Sequence, residues 1–185
     1  MKKIWISLAM LMMLPISAIA HGPSGQKVVK EFEVNAAPAK VWTLLKDFGA
    51  IQQWHPDVVS VKTETKADAD SGKEMLHRLV TLKDGTAFLE KLREVNDAEM
   101  KLDYKMVDTP ESTIAVSNYR TVVFVKQGAT SNQSIVSLTA RFYNKANTME
   151  APPGADNPAA NKAINALYDA AAMGKLFGNK SQSFL

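Results

Sequence analysis

Residues Pro38 to Pro56 read PAKVWTLLKDFGAIQQWHP, and the reading of this stretch decides the fold. Val41, Leu44, Leu45 and Phe48 recur at i, i+3, i+4 and i+7, the spacing that gathers apolar side chains on one face of a helix. Gly49 is expected to break that helix, after which Trp54-His55-Pro56 emerges as an exposed-looking end. One alternating segment, Val28 to Val34, precedes the helix and several more follow it. A helix inserted after the first strand of an otherwise strand-rich chain predicts a sheet folded around a cavity.

Downstream, the strand-like runs are Val58 to Thr65, Glu74 to Leu82, Thr86 to Val95, Met100 to Val107, Ile114 to Lys126 and Ser134 to Asn144. Asp84-Gly85, Asn96-Asp97, Asp108-Thr109-Pro110 and Gln127-Gly128 separate several of them with residues that tolerate a left-handed backbone or fix φ. Strands joined so tightly must be antiparallel. Met100, Leu102, Tyr104 and Met106 alternate with Lys101, Asp103 and Lys105, so one sheet face should meet the core and the other water. Such a sheet needs a cover. Ile164, Leu167, Tyr168 and Ala171 supply it at helical spacing, with Asn157-Pro158 read as the cap and first helical residue and Gly178 as the end.

The beginning of the chain reads as an address. Lys2 and Lys3, the apolar run Ile4 to Leu14 and Ala18-Ile19-Ala20 form a secretory signal over residues 1–20, cut before His21. A flexible segment, residues 21–27, and one domain over residues 28–180 are expected to follow. The expected location is periplasmic. No later apolar run approaches the roughly 20 residues that span a bilayer. The net charge of +3 falls to about +1 once the two signal lysines leave, and no basic stripe is visible, so nucleic acid is not an expected partner. Cysteine is absent, which excludes disulfides, thiol catalysis and cysteine-held metals.

The hairpin around Asp84 gives the sharpest site prediction. With Lys83-Asp84-Gly85 as a three-residue loop, Val80 faces Phe88, Arg78 faces Glu90 and Leu76 faces Leu92. A two-residue loop would set Arg78 against Lys91, a like-charge pair, so the first register is preferred. It places one charged pair among Leu76, Val80, Phe88 and Leu92, and sends His77, Lys91 and Arg93 to the other face. An apolar wall with a single charged pair fits either a pocket for a mostly apolar molecule with a polar end or a structural ion pair in a filled core.

Strand, helix, broken helix, six strands and a long final helix is the order of the helix-grip fold, in the α+β class, with about seven antiparallel strands around the last helix. Ala37-Pro38, Val41-Trp42, Asp47-Phe48-Gly49, Trp54-His55-Pro56 and the segment Gly85 to Leu92 resemble the SRPBCC (START-like, polyketide-cyclase-like) superfamily. The post-signal HGP, the block DFGAIQQWHPDV and the late ARFYN most resemble MxaD-type periplasmic proteins of methanol oxidation. That resemblance implies an accessory role beside a periplasmic methanol dehydrogenase and its cytochrome c. The superfamily implies a ligand cavity and, in some members, cyclase or dehydrase chemistry on carbonyl compounds.

The candidate ligand-binding residues are Trp54, His55, Arg78, Val80, Phe88, Glu90, Leu92, Tyr104 and Tyr119. Trp54 could clamp a ligand or partner at the cavity rim, or simply plug the core. Glu90, Arg78, His55 and Tyr104 could move protons on a carbonyl compound, but there is no phosphate loop, Ser-His-Asp signature or metal motif. No catalytic residue, metal or cofactor is expected. His21, as a new N-terminus, offers only a weak copper chelate.

Overall fold

In the computed structural model, which describes residues 22–173, the tight hairpins assemble one seven-stranded sheet. The elements are β1 (Gln26–Val34), α1 (Pro38–Leu45), a 3-10 turn (Phe48–Ala50), α2 (Ile51–Trp54), β2 (Val58–Ala67), β3 (Glu74–Leu82), β4 (Ala87–Asn96), β5 (Lys101–Val107), β6 (Val116–Gln127), β7 (Ser134–Asn144) and α3 (Asn157–Met173). The order across the sheet is β1-β7-β6-β5-β4-β3-β2, antiparallel throughout. Five consecutive hairpins give the run from β2 to β7. β1 closes on β7, so α1 and α2 must carry the chain from one edge of the sheet to the other. The curved sheet holding the terminal helix is the expected helix-grip α+β fold.

Local physics explains the helices and corrects two details of the sequence reading. Ala37 is extended and Pro38 opens α1, which buries Val41, Trp42 and Leu45. The first helix stops earlier than Gly49: the Asp47 carboxylate accepts the Gly49 N–H at 3.1 Å, and this side-chain cap starts a new turn. At α3 the cap is Asp156, not Asn157; its Oδ1 accepts the Ala159 N–H at 3.0 Å and its carbonyl accepts the Ala160 N–H. Asn157 lies inside the helix, where its Oδ1 accepts from Asn144 Nδ2. Ile164, Leu167, Tyr168 and Ala171 are buried, as the helical spacing predicts, and α3 packs on β1 and β7.

The Asp84 hairpin has the predicted register. Val80 pairs with Phe88, Arg78 with Glu90 and His77 with Lys91. Gly85 at φ +86° supplies the left-handed residue that the three-residue loop requires, and Leu82 N–H bonds Thr86 O across it. β1 begins at Gln26, paired with Phe142, so Gln26 and Lys27 belong to the sheet and not to the preceding segment.

Three further expectations change. Trp54 and His55 do not form an exposed end: both are buried, Trp54 as the core plug that was the alternative reading, and only Pro56 of that motif faces solvent. Asp103, expected on the wet face, is 3% exposed, because Arg120 clasps it with Nε at 2.9 Å and Nη2 at 2.5 Å. Lys91 and His77 are also buried on that face. The β2–β3 connection folds over Lys91 and sets Asp68 Oδ1 2.5 Å and Asp70 Oδ2 2.8 Å from its Nζ. Alternation reports which face a residue takes; it does not report what a loop lays over that face. The signal over residues 1–20, His21 and Gly178 lie outside the described residues.

Candidate functional site

The inner face of the sheet gathers its polar groups where β3, β4, β5 and β6 meet α2 and α3. Arg78 and Glu90 point inward because they alternate with residues of the outer face, and their registered pairing leaves each 1% exposed. Arg78 Nε donates to Glu90 Oε2 at 2.6 Å and Nη1 donates to the Phe48 carbonyl at 2.7 Å. The guanidinium lies between two rings, its Cζ 4.0 Å from the Phe48 ring centroid and 4.7 Å from that of Tyr104. Ion pair, backbone acceptor and cation–π contacts together hold a charge that burial alone would expel.

Around this pair lie hydroxyls. Thr121 Oγ1 and the Tyr168 hydroxyl are 3.0 Å apart, with the Tyr104 and Tyr119 hydroxyls beside them. Burial pushes the Tyr104 phenol up to about 12 and those of Tyr119 and Tyr168 well above their ordinary value, so all three remain protonated donors. Burial likewise raises the Glu90 carboxyl, against the opposing pull of Arg78. Two buried nitrogens here have no hydrogen-bond partner, Trp54 Nε1 and Arg78 Nη2, and the Tyr119 hydroxyl, set among Thr121, Tyr104 and Tyr168, meets none of them in full hydrogen-bond geometry. Indole and guanidinium nitrogens can only donate, so what this interior lacks is an acceptor.

The expected hollow is nearly closed. Trp54, Phe88, Glu90, Tyr104, Tyr119 and Tyr168 border a space of about 10 Å³, room for about one water molecule. Large side chains from both helices and the sheet converge there and fill the volume. A second, open cleft of about 450 Å³ lies beside the middle of α3, lined by Leu82, Ile114, Ala163 and Ala166 together with Asp57, Lys83, Asp84 and Thr113.

His55 and Leu167 border both spaces. His55 Nδ1 accepts the Asp57 N–H at 3.3 Å, which leaves Nε2–H to donate to the Leu167 carbonyl at 2.9 Å. The neutral ring is satisfied at both nitrogens. Burial lowers its pKa, outweighing the Leu167 carbonyl and the Asp57 charge, which raise it.

Of the nine residues predicted for the site, Trp54, His55, Phe88, Glu90, Tyr104 and Tyr119 border the inner space. Arg78 reaches it through Glu90. Val80 is fully buried core and Leu92 is half-buried against the core; neither borders a space. Sequence reasoning missed Tyr168 and Leu167 as site residues, having read their spacing as core packing, and missed Thr121 and Phe48. Nothing in the sequence marks Thr121. Among the described residues no group of three or more His, Asp or Glu could hold a metal, and no helix is long and apolar enough to cross a membrane.

The family model described as polyketide cyclase / dehydrase and lipid transport matches residues 25–176. Solved structures share the fold. The chain is similar to XoxI from Bacillus cereus, with a TM-score of 0.60 and 24% identity over 79% of this chain and 89% of that one. A Thermobifida fusca protein gives a TM-score of 0.56 and 25% identity over 85% and 99%. The Zhui aromatase/cyclase from Streptomyces sp. R1128 gives 0.59 and 14% over 83% and 90%. No curated protein matches the sequence.

Proposed function

This chain belongs to the polyketide cyclase / dehydrase and lipid transport family, and from that premise we propose that it is an exported, non-catalytic binder of a small apolar or amphipathic molecule. The observation that carries the reading is the set of buried donors left without a well-placed acceptor, Trp54 Nε1, Arg78 Nη2 and Tyr119 OH, in the interior that also holds the Arg78–Glu90 pair. Each such group costs about 1–3 kcal/mol when left unpaired, a cost that a ligand carbonyl or carboxylate oxygen would remove. The inner space holds little more than that oxygen. The apolar body of the ligand would therefore occupy the outer cleft, with His55 and Leu167 displaced so that the two spaces join.

The biological role in this reading is that of an MxaD-type accessory factor for a periplasmic methanol dehydrogenase and its cytochrome c. It rests on the HGP, DFGAIQQWHPDV and ARFYN segments. Native mass spectrometry of protein purified from its own host tests the binding reading: a retained small molecule is expected. An unliganded mass, together with no response to medium-chain fatty acids or aromatic ketones in a dye-displacement titration, would sink it. Pull-down with tagged protein tests the accessory role, and recovery of neither dehydrogenase nor cytochrome at low salt would end it.

A second reading is a cyclase- or dehydrase-like enzyme acting on a hydrophobic carbonyl compound. It is favoured by Glu90, a carboxyl that burial pushes toward its protonated form beside the Tyr104 phenol. Turnover of an aromatic polyketide-like ketone that is lost in Glu90→Gln while binding persists would establish this reading over the first.

A further inference from the structure

The outer face of the sheet, away from the cavity, carries a feature that arises only when the strands are placed side by side. Lys91 pairs with Lys105, Lys105 with Arg120, Arg120 with Arg141, and Arg141 with Lys27. Their sequence neighbours Glu90, Tyr104, Tyr119, Ala140 and Val28 are buried on the inner face, so all five cations share the outer one. They form one unbroken rung over β4, β5, β6, β7 and β1. Four strand spacings of about 4.8 Å make this row about 19 Å long.

Like charges set directly opposite one another in a sheet destabilise it, so an unbroken row of five is a poor choice for folding alone. Two of the five are neutralised within the chain, Lys91 by Asp68 and Asp70, and Arg120 by Asp103. Among the described residues, Lys27, Lys105 and Arg141 have no carboxylate at ion-pair distance. The next rung offers an apolar edge, with Val122, Thr139 and Val29 in register and Val29 46% exposed.

We propose that this row is a docking surface for a protein partner that presents an acidic helix face. Three observations select that occupant. The row is one residue wide with neighbouring positions about 4.8 Å apart, within reach of long side chains meeting carboxylates at i and i+4 along a helix, about 5–6 Å apart. With Lys91 held by Asp68 and Asp70 and Arg120 by Asp103, only Lys27, Lys105 and Arg141 keep an uncompensated charge, a spaced pattern that suits discrete carboxylates on a protein face better than the continuous phosphates of a nucleic acid or an anionic bilayer. The Val29 and Val122 edge supplies the apolar contact that protein interfaces place beside charge. The proposal does not rest on the cavity reading, since no residue of the row borders either space.

The test is fluorescence anisotropy with a labelled Ala-rich helical peptide carrying Glu at every fourth position, against the purified protein. Binding should weaken by about tenfold between 50 and 250 mM NaCl, as screening of an extended charge contact requires. The triple variant Lys27→Gln, Lys105→Gln, Arg141→Gln should lose at least about tenfold. The charge-keeping triple Lys27→Arg, Lys105→Arg, Arg141→Lys should keep binding, which separates charge from misfolding. A control triple elsewhere, Lys73→Gln, Lys83→Gln, Lys162→Gln, should change it less than about twofold. Equal losses in the Gln triple and the control overturn the proposal, as does no loss in either. Tighter binding of phosphatidylglycerol vesicles or a single-stranded oligonucleotide than of the peptide, abolished by the same Gln triple, overturns the assignment to a protein partner.

Discussion

Arg78 and Glu90 face each other across β3 and β4 with Nε 2.6 Å from Oε2, each side chain 1% exposed to solvent. The two groups are twelve residues apart in the chain, joined by a hairpin whose three-residue loop sets their register. The buried Tyr104, Tyr119 and Tyr168 hydroxyls feel the charge of this pair, and its removal in halves and as a whole should have different consequences.

Glu90→Leu or Arg78→Met alone should destabilise the fold by about 3–5 kcal/mol, because the surviving charge is left buried without its counterion. The double variant should recover most of that loss. Urea unfolding of the three variants reads the result, and a double variant as unstable as the summed singles would show that the pair does more than neutralise itself.

Tyr119→Phe should separate stability from binding. The Tyr119 hydroxyl is fully buried with no partner in full hydrogen-bond geometry, so deleting it should leave stability unchanged or raise it by up to about 2 kcal/mol. The same change should weaken any ligand that uses this donor. Thermal melts and a ligand titration on one preparation check both halves, and a clear loss of stability would place an acceptor beside the hydroxyl in the unliganded protein.

His55 should produce a step in stability on the acid side of neutrality. Its pKa is lowered in the folded chain, chiefly by burial, so the folded state prefers the neutral ring. The stabilisation is complete above the unfolded value of 6.5 and is lost as pH falls through the lower folded value. Protonation would also set an Nδ1–H against the Asp57 N–H that it now accepts. Urea midpoints should fall as pH drops below 6.5, and His55→Gln should flatten that fall. Asp68 titrates elsewhere: bonded to Lys91, its carboxyl lies at about 2, so its contribution is lost only below 3.8. An unchanged step in His55→Gln would exclude His55 as its source.

Lys105→Gln should stabilise the protein, by about 0.2–1 kcal/mol, since it removes a cation set between Lys91 and Arg120. If the row serves a partner, stability and docking then move in opposite directions in one variant. Denaturant midpoints at 20 and 300 mM salt check it, with the gain expected to shrink at high salt; a destabilised Lys105→Gln would mean that the row supports the sheet.

Much of the site was legible because it is local. The Asp84-Gly85 turn and the avoidance of an Arg78–Lys91 pairing were enough to place Arg78 opposite Glu90, and alternation in β5 was enough to turn Tyr104 inward. Legibility failed where a distant segment covers a residue. For Trp54 and His55 the sequence left a rim position and a core plug both open because their motif follows a helix break, and the Leu167 carbonyl, 112 positions away from His55, seals that corner and decides for the plug. Asp103 read as wet because its alternation is correct, but Arg120 from β6 lies over it.

The sequence by itself determined the order of strands and helices, the turns, and the inner charged pair, because each depends on contacts within a hairpin or on the periodicity of one element. Only the tertiary structure decided how much space the interior keeps, since that is a sum of side-chain volumes from seven strands and the helices. It alone also lined up Lys91, Lys105, Arg120, Arg141 and Lys27. Each of these sits on a different strand, and their alignment depends on four registers at once, including the bulges in β4 and β6 that shift the pairing on either side of them.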